Sequence, residues 1–475
     1  MTCCIRNIAA PILALILFPT ALLARDGDLD PKFGTNQNGI ERVSFDQGVF
    51  NRDDASDVLV LQDGSIVLVG TVDIGSVTGL GIARLTADGA PHPDGNTVIT
   101  SSDFFLRATA VVQQSGDGML VVAGSYFDNV AQEGPFWLVC RMTVEGEPDL
   151  AFGSDGVHDG CATGFADGML TKGTINDVVV QPNGRIVAAG VYVDDNQIPR
   201  AALSALTPLG SADANFADDG MGADNLTMPF PQVMFSSSFR ALQLGVGGRL
   251  VAAGAAAPDA DSEFLVAVYD EDGDPAAGFG ISGRVLLPVD LGPVGAQEDV
   301  AEGVVALADG RIIAAGSAQT DENSGSGGIL FKLESNGMPD LTFNGSGRRV
   351  IVFGGAIIRF SDLAVDSKDR IVLTGTLADA STPFYSVVLA MRLTSFGGFD
   401  PTFFSDIGLN AFSFDTDENE FNFVAPSRAT SVVLQGEHAL IAGSVQGPIN
   451  QFDSNFAVAR LGDDVLFRNG FEAGL

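Results

Sequence analysis

Three histidines, one tryptophan and four tyrosines are all that 475 residues contain, and 25 basic side chains face 60 acidic ones. Each shortage removes a class of function. His92, His158 and His438 lie far apart in no metal-ligand spacing, so a histidine-held metal has no support. A formal charge of -35 repels phosphate backbones and anionic lipid, which takes nucleic acid off the list of expected partners. The nucleophile elbow G-x-S-x-G, the phosphate-cradling P-loop and H-E-x-x-H are all missing. After the N-terminal segment, no run is long and apolar enough to cross a bilayer.

That segment reads as a secretory leader. Arg6 precedes an apolar stretch from Ile8 to Leu23, broken by Pro11 and Pro19 and followed by the small residue Ala24. Cleavage after Ala24 is expected, with an uncleaved anchor as the alternative, and it places the protein in the periplasm, at the cell surface or outside the cell. Cys3 and Cys4 precede the apolar run, where a lipid-modified cysteine would follow it. Leader removal leaves Cys140 and Cys161. In an oxidising compartment these two either form a disulfide or stay as buried thiols, and their separation in sequence does not decide which.

Glycine, by contrast, is abundant at 58 residues, and it punctuates the chain. An apolar run closing on Gly recurs at Gly70, Gly124, Gly190, Gly254, Gly316, Gly375 and Gly443. These seven copies have a mean period of about 62 residues, on the scale of propeller repeats rather than short solenoid coils. Five runs follow the turns Asp63-Gly64, Asp117-Gly118, Asn183-Gly184, Gly247-Gly248 and Asp309-Gly310, which accept positive φ and suit tight hairpins. The sixth and seventh copies carry Lys368-Asp369 and Gly436-Glu437 there, so different turns are expected. Runs such as Val58 to Leu61 and Val178 to Val180 are continuously apolar and β-branched, the mark of strands covered on both faces.

A further strand carries a cation at one register: Arg84, Arg141, Lys332, Arg392 and Arg460, with Ala205 and Val268 in the other copies. An Asp follows at Asp30, Asp149, Asp213, Asp340 and Asp400, and a Phe at Phe33, Phe152, Phe216, Phe279, Phe343 and Phe403. Recurrence in copy after copy fits a scaffold device, a partly buried cation-Asp pair with Phe in the core, better than a ligand site. Four strands in each of seven copies predict an all-β, seven-bladed β-propeller. The last copy stops at Arg460-Leu461 without its own Asp and Phe, while the chain opens on an unpartnered Gly27 to Phe33. The N-terminal segment is therefore expected to complete the last blade and close the ring. The expected division is a leader over residues 1–24, a propeller over 25–462 and a tail over 463–475.

The set Leu29-Asp30-Pro31-Lys32-Phe33-Gly34, Ile66 to Gly70 and Ala83 to Gly89 resembles the delta-60 repeat family of bacterial β-propeller domains. The resemblance spans nearly all of Gly27 to Leu461. It implies an exported propeller and no activity, since the family has no general assigned function. The tail, Val465-Leu466-Phe467-Arg468-Asn469-Gly470-Phe471-Glu472, resembles a short motif at the C-termini of exported proteins in some Gram-negative bacteria. A sorting signal and a terminal strand on the last blade are its two readings.

The function expected from these features is a non-catalytic scaffold or binding protein, a monomer whose loops contact a protein or glycan. The runner-up is a hydrolase or lyase that uses carboxylates in the central channel. Those should then appear as two or three perturbed groups near the channel mouth. A quinone cofactor would call for more Trp, and no cofactor is expected. Calcium is the third reading, through Asp270, Asp272 and Asp274 in the run Asp270-Glu271-Asp272-Gly273-Asp274, although this run lacks the spacing of an EF-hand loop. A second acidic run spans Asp415 to Glu420.

Overall fold

The structure is a computed structural model that describes residues 26–45, 52–153, 158–166, 169–217, 226–227, 236–258, 261–289, 291, 299–320, 325–415, 425–447 and 453–462. The leader over 1–24, the tail over 463–475 and the acidic run beyond Asp415 lie outside the described residues.

Each sequence copy folds as a four-stranded antiparallel meander, and among the described residues helix is confined to two short turns. The first strands are Asp53–Val60, Phe104–Gln113, Gly173–Val180, Ser237–Leu244, Val300–Ala306, Ala356–Val365 and Ser427–Gln435. A single parallel pairing of Ser326 with Ile357 joins the fifth and sixth meanders into one eight-stranded sheet. The seventh copy supplies only three strands, ending with Ser454–Leu461. Its fourth is Ile40–Val43, with Ile40 opposite Ala459 and Val43 opposite Phe456.

Every first strand carries an extra residue facing the repeat Gly: Ser56, Thr109, Asn176, Arg240, Glu302, Ser361 and Thr430. The Gly is required by close approach. A Cβ on Gly70 would lie 2.1 Å from the Asp54 carbonyl oxygen, and one on Gly443 would lie 1.9 Å from that of Arg428.

Sheets stack on their neighbours through shared apolar clusters. Val67 and Val69 of the first copy pack with Leu106 and Leu120 of the second, and Val58 and Ile66 of the first pack with Leu440 and Phe456 of the seventh. First strands lie beside one another in order, and Ser427–Gln435 lies beside Asp53–Val60.

The cation, Asp and Phe columns meet where each copy docks on the next. Arg141 pairs with Asp149 and lies 4.9 Å over the Phe152 ring, while Phe152 covers the turn glycine Gly210 of the following copy. Arg392 bonds Asp400 at 2.7 Å and lies 4.8 Å over Phe403. Arg460 bonds Asp30 at 2.8 Å and lies 4.7 Å over Phe33, so the N-terminal segment completes the seventh copy's device. Phe33 in turn covers Gly89 of the first copy. Asp26 and Gly27 serve as the seventh copy's turn: the Phe404 amide donates to the Asp26 carbonyl at 2.7 Å, and Gly27, at φ 89°, faces the Phe403 ring.

Departures from the pattern are compensated. Where Ala205 stands for the cation, Arg185 reaches Asp213 at 2.6 Å. Lys332 is 3.7 Å from Asp340, which Arg311 also meets at 2.9 Å. The first copy lacks the Asp and Phe, and Arg84 pairs there with Asp94 at 2.7 Å.

The expected change of turn in the sixth copy does not occur. Asp369 takes φ 60° in the same backbone turn as the glycines, because Asp tolerates the left-handed region. The seventh copy does differ, with Gln435 paired directly to His438 around Gly436-Glu437. Cys140 and Cys161 sit opposite each other on neighbouring strands and form a disulfide. Among the described residues, no helix is long and apolar enough to cross a membrane.

Candidate functional site

The bulge in each first strand sets up the candidate site. An extra residue breaks the ladder and leaves backbone groups in need of partners. Side chains at the bulge answer by bonding the next copy: Ser56 to the Ala108 carbonyl at 2.9 Å, Thr109 to Ile175 at 2.8 Å, Asn176 to Phe239 at 2.6 Å and Ser361 to Ala429 at 2.8 Å.

One residue further on, three copies place an aspartate. Asp57 accepts from the Val111 amide at 2.9 Å, Asp177 from Leu242 at 2.6 Å and Asp362 from Val432 at 2.8 Å, each donor belonging to the next copy. Each also accepts from the amide after it at 2.7 Å. The Ser431 hydroxyl lies 2.8 Å from Asp57 and 3.1 Å from Asp362. A hydroxyl carries one hydrogen, so the trio is fully hydrogen-bonded when one carboxyl keeps its own proton.

Electrostatics agree with that arrangement. Burial pushes the Asp57 carboxyl up, against the amides and hydroxyl that hold it. Burial pushes Asp177 well above the usual carboxylate range, with the charges of Asp57 and Asp362 adding to the effect. Asp362 is pushed up to about 7, chiefly by burial and then by Asp57. Three carboxyls from the first, third and sixth copies thus face one shared interior. They remain half-buried rather than sealed.

At the entrance to that interior the chemistry changes sign. Arg107, Arg359 and Arg428 occupy one register, opposite Ser125, Thr376 and Ser444, and Arg240 sits at its own bulge. All four are exposed, and none is paired with a carboxylate among the described residues. Burial raises Glu302, and the Arg240 and Arg428 charges oppose that rise, so side chains from the fourth, fifth and seventh copies share this space. Beside Arg107 a cleft of about 550 Å3 opens, lined by Asp54, Ser56, Phe105, Arg107, Phe127 and Thr174 among others. Phe105 and Phe127 stand 6.3 Å apart, tilted by 56°.

The residues singled out from sequence fall elsewhere. The cation and Asp columns lie at the docking contacts between copies. Asp270 accepts from the Asp272 and Asp274 amides at 3.0 and 2.9 Å, and Asp272 pairs with Arg185 at 2.9 Å. The three form no metal-ligand group among the described residues. Trp137 is buried and donates its indole N–H to the Val191 carbonyl at 2.8 Å. The axial residues went unnoticed in the sequence, although Asp57, Asp177 and Asp362 precede Gly70, Gly190 and Gly375 by the same distance.

An all-β chain of four-stranded antiparallel sheets, each packed on the next, is a β-propeller fold. Residues 61–91, 181–216 and 307–343 match the family model described as "Domain of unknown function (DUF5122) beta-propeller", which supports a bacterial β-propeller family. No curated protein matches the chain. Solved structures similar in fold include virginiamycin B lyase from Staphylococcus aureus, 12% identical over 88% of this chain and 98% of that one, with a TM-score of 0.43. The polysaccharide lyase Uly1 is 8% identical over 86% and 90%, at 0.46. Sqt1 from Chaetomium thermophilum, solved bound to the N-terminus of a ribosomal protein, is 11% identical over 89% and 100%, at 0.42.

Proposed function

We propose that the protein is an exported, monomeric, seven-bladed β-propeller, closed by its N-terminal segment, that binds a ligand at the axial mouth without transforming it. Pairing of Ile40–Val43 with Ser454–Leu461 and the packing of the seventh copy on the first support closure. The leader-like N-terminus and the Cys140 to Cys161 bridge support export.

The observation that carries the non-catalytic reading is how the axial aspartates are used. Each is held by its own following amide and by an amide of the next copy, which makes it a staple between neighbouring sheets. The cleft, by contrast, presents an exposed Arg107 with no carboxylate partner among the described residues, beside the half-buried Phe105 and Phe127 rings. A screen of the purified full chain against glycan and peptide arrays tests the reading. Binding that is lost in Phe105→Ala and kept in Asp57→Asn supports it; binding that ignores Phe105→Ala overturns the location.

One observation favours a second reading. Asp362 near neutrality, sharing the Ser431 hydroxyl with Asp57, is the kind of carboxyl pair that a hydrolase or lyase uses for acid–base work. Turnover of any captured glycan or ester, abolished in Asp362→Asn, would establish it over simple binding.

A further inference from the structure

The four axial arginines differ from the repeat arginines. Cations are scarce in a protein of formal charge -35, and the repeat arginines Arg84, Arg141, Arg392 and Arg460 are all buried and paired. Arg107, Arg240, Arg359 and Arg428 are exposed and have no carboxylate partner among the described residues. They come from four different copies, three of them at one register, and the acidic groups nearby are Asp54, Glu302 and the trio Asp57, Asp177 and Asp362, of which Glu302 and the trio are pushed by burial toward the protonated form. At physiological salt, charges beyond about 8 Å are largely screened, so carboxylates on the distant surface do not cancel these exposed guanidinium charges.

We infer that the axial mouth binds a carboxylate-bearing oligosaccharide. The inference rests on the binding reading above and adds a ligand class to it. A guanidinium presents a planar fork of donors that matches a carboxylate in two parallel hydrogen bonds. Around Arg107, the Phe105 and Phe127 rings offer apolar faces to pyranose rings. The Thr71, Ser125 and Thr174 hydroxyls line the same cleft without a partner among the described residues and match sugar hydroxyls. An acidic peptide would use the arginines and leave that hydroxyl lining unmatched.

The test is calorimetric titration of the purified full chain with three probes: an oligogalacturonate, its methyl-esterified neutral counterpart, and an oligoglutamate of equal charge. The expected result is an affinity for the oligogalacturonate at least tenfold above both others, falling at least fivefold in Arg107→Ala and in Arg428→Ala with unchanged melting temperature. Equal binding of the methyl ester would refute the role of the anion while leaving a ligand at the mouth. Oligoglutamate binding as tight as the uronate would refute the sugar. Failure of the uronate to bind, or binding indifferent to both substitutions, would overturn the inference outright; indifference also to Phe105→Ala would overturn the mouth as a binding site.

Discussion

Two sets of arginines on the same scaffold live in opposite circumstances. At the docking contacts, Arg141, Arg392 and Arg460 are buried, bonded to an Asp and stacked on a Phe. Along the axis, Arg107, Arg359 and Arg428 are exposed and unpaired with carboxylates among the described residues. The first set recurs because each interface between copies poses the same packing problem; where Ala205 replaces the cation Arg185 supplies it, and Arg311 joins Lys332 at Asp340. The second occurs in some copies only, because nothing in the packing asks for it. A recurrent charge marks the scaffold, and an unsatisfied charge at a variable register marks a site.

The acids divide in the same way, and the two groups respond to pH with opposite signs. Burial acts to raise Asp149, Asp213, Asp340 and Asp400, but amide, hydroxyl and cation partners more than offset it and hold them below the usual carboxylate range. Their stabilisation is present above the unfolded value of 3.8 and is lost as pH falls through the lower folded values. Asp362, raised from 3.8 to about 7, contributes most below 3.8 and loses that contribution as pH rises toward 7.

The comparison can be broken at several points. The largest effect is expected from deleting residues 26–45, which removes the fourth strand, turn, Asp and Phe of the seventh copy. Cooperative thermal unfolding should disappear, whereas deleting 463–475 should leave it intact; equal tolerance of both deletions would remove the argument for closure. Next, Arg392→Ala strips Asp400 and Asp26 of a buried partner and should cost about 3–5 kcal/mol in denaturant unfolding. A smaller shift is expected from Asp362→Asn. Wild-type melting temperature should fall between about pH 4 and about pH 7, and the substitution should flatten that slope. An unchanged slope would mean that the carboxyl is ionised throughout.

The scaffold was legible in the sequence because its devices are forced copy by copy. Gly70 and Gly443 announce themselves since the opposing carbonyl leaves no room for a Cβ. The pairing of Arg460 with Asp30 could be anticipated because the half missing from the last copy stood near the N-terminus. The axial site was hidden for a physical reason. Each bulge shifts the alternation of its strand by one residue, so the face of Asp57 or Arg107 cannot be read from period-two patterning. In the acidic run at Asp270, the Asp270 carboxylate caps a turn and its neighbour Asp272 holds Arg185. In a chain with 60 acids, density of charge says little, and the partner of each charge says more.

The most direct test of the account pairs two substitutions and two measurements. Arg141→Ala and Arg107→Ala are each assayed for melting temperature and for oligogalacturonate affinity. The account predicts that Arg141→Ala lowers stability by about 3 kcal/mol or more. The protein that remains folded should keep its affinity. It predicts that Arg107→Ala changes stability by less than about 0.5 kcal/mol and weakens binding at least fivefold. Equal losses of stability in the two variants, or no loss of binding in Arg107→Ala, would contradict the division of labour between the two sets of arginines.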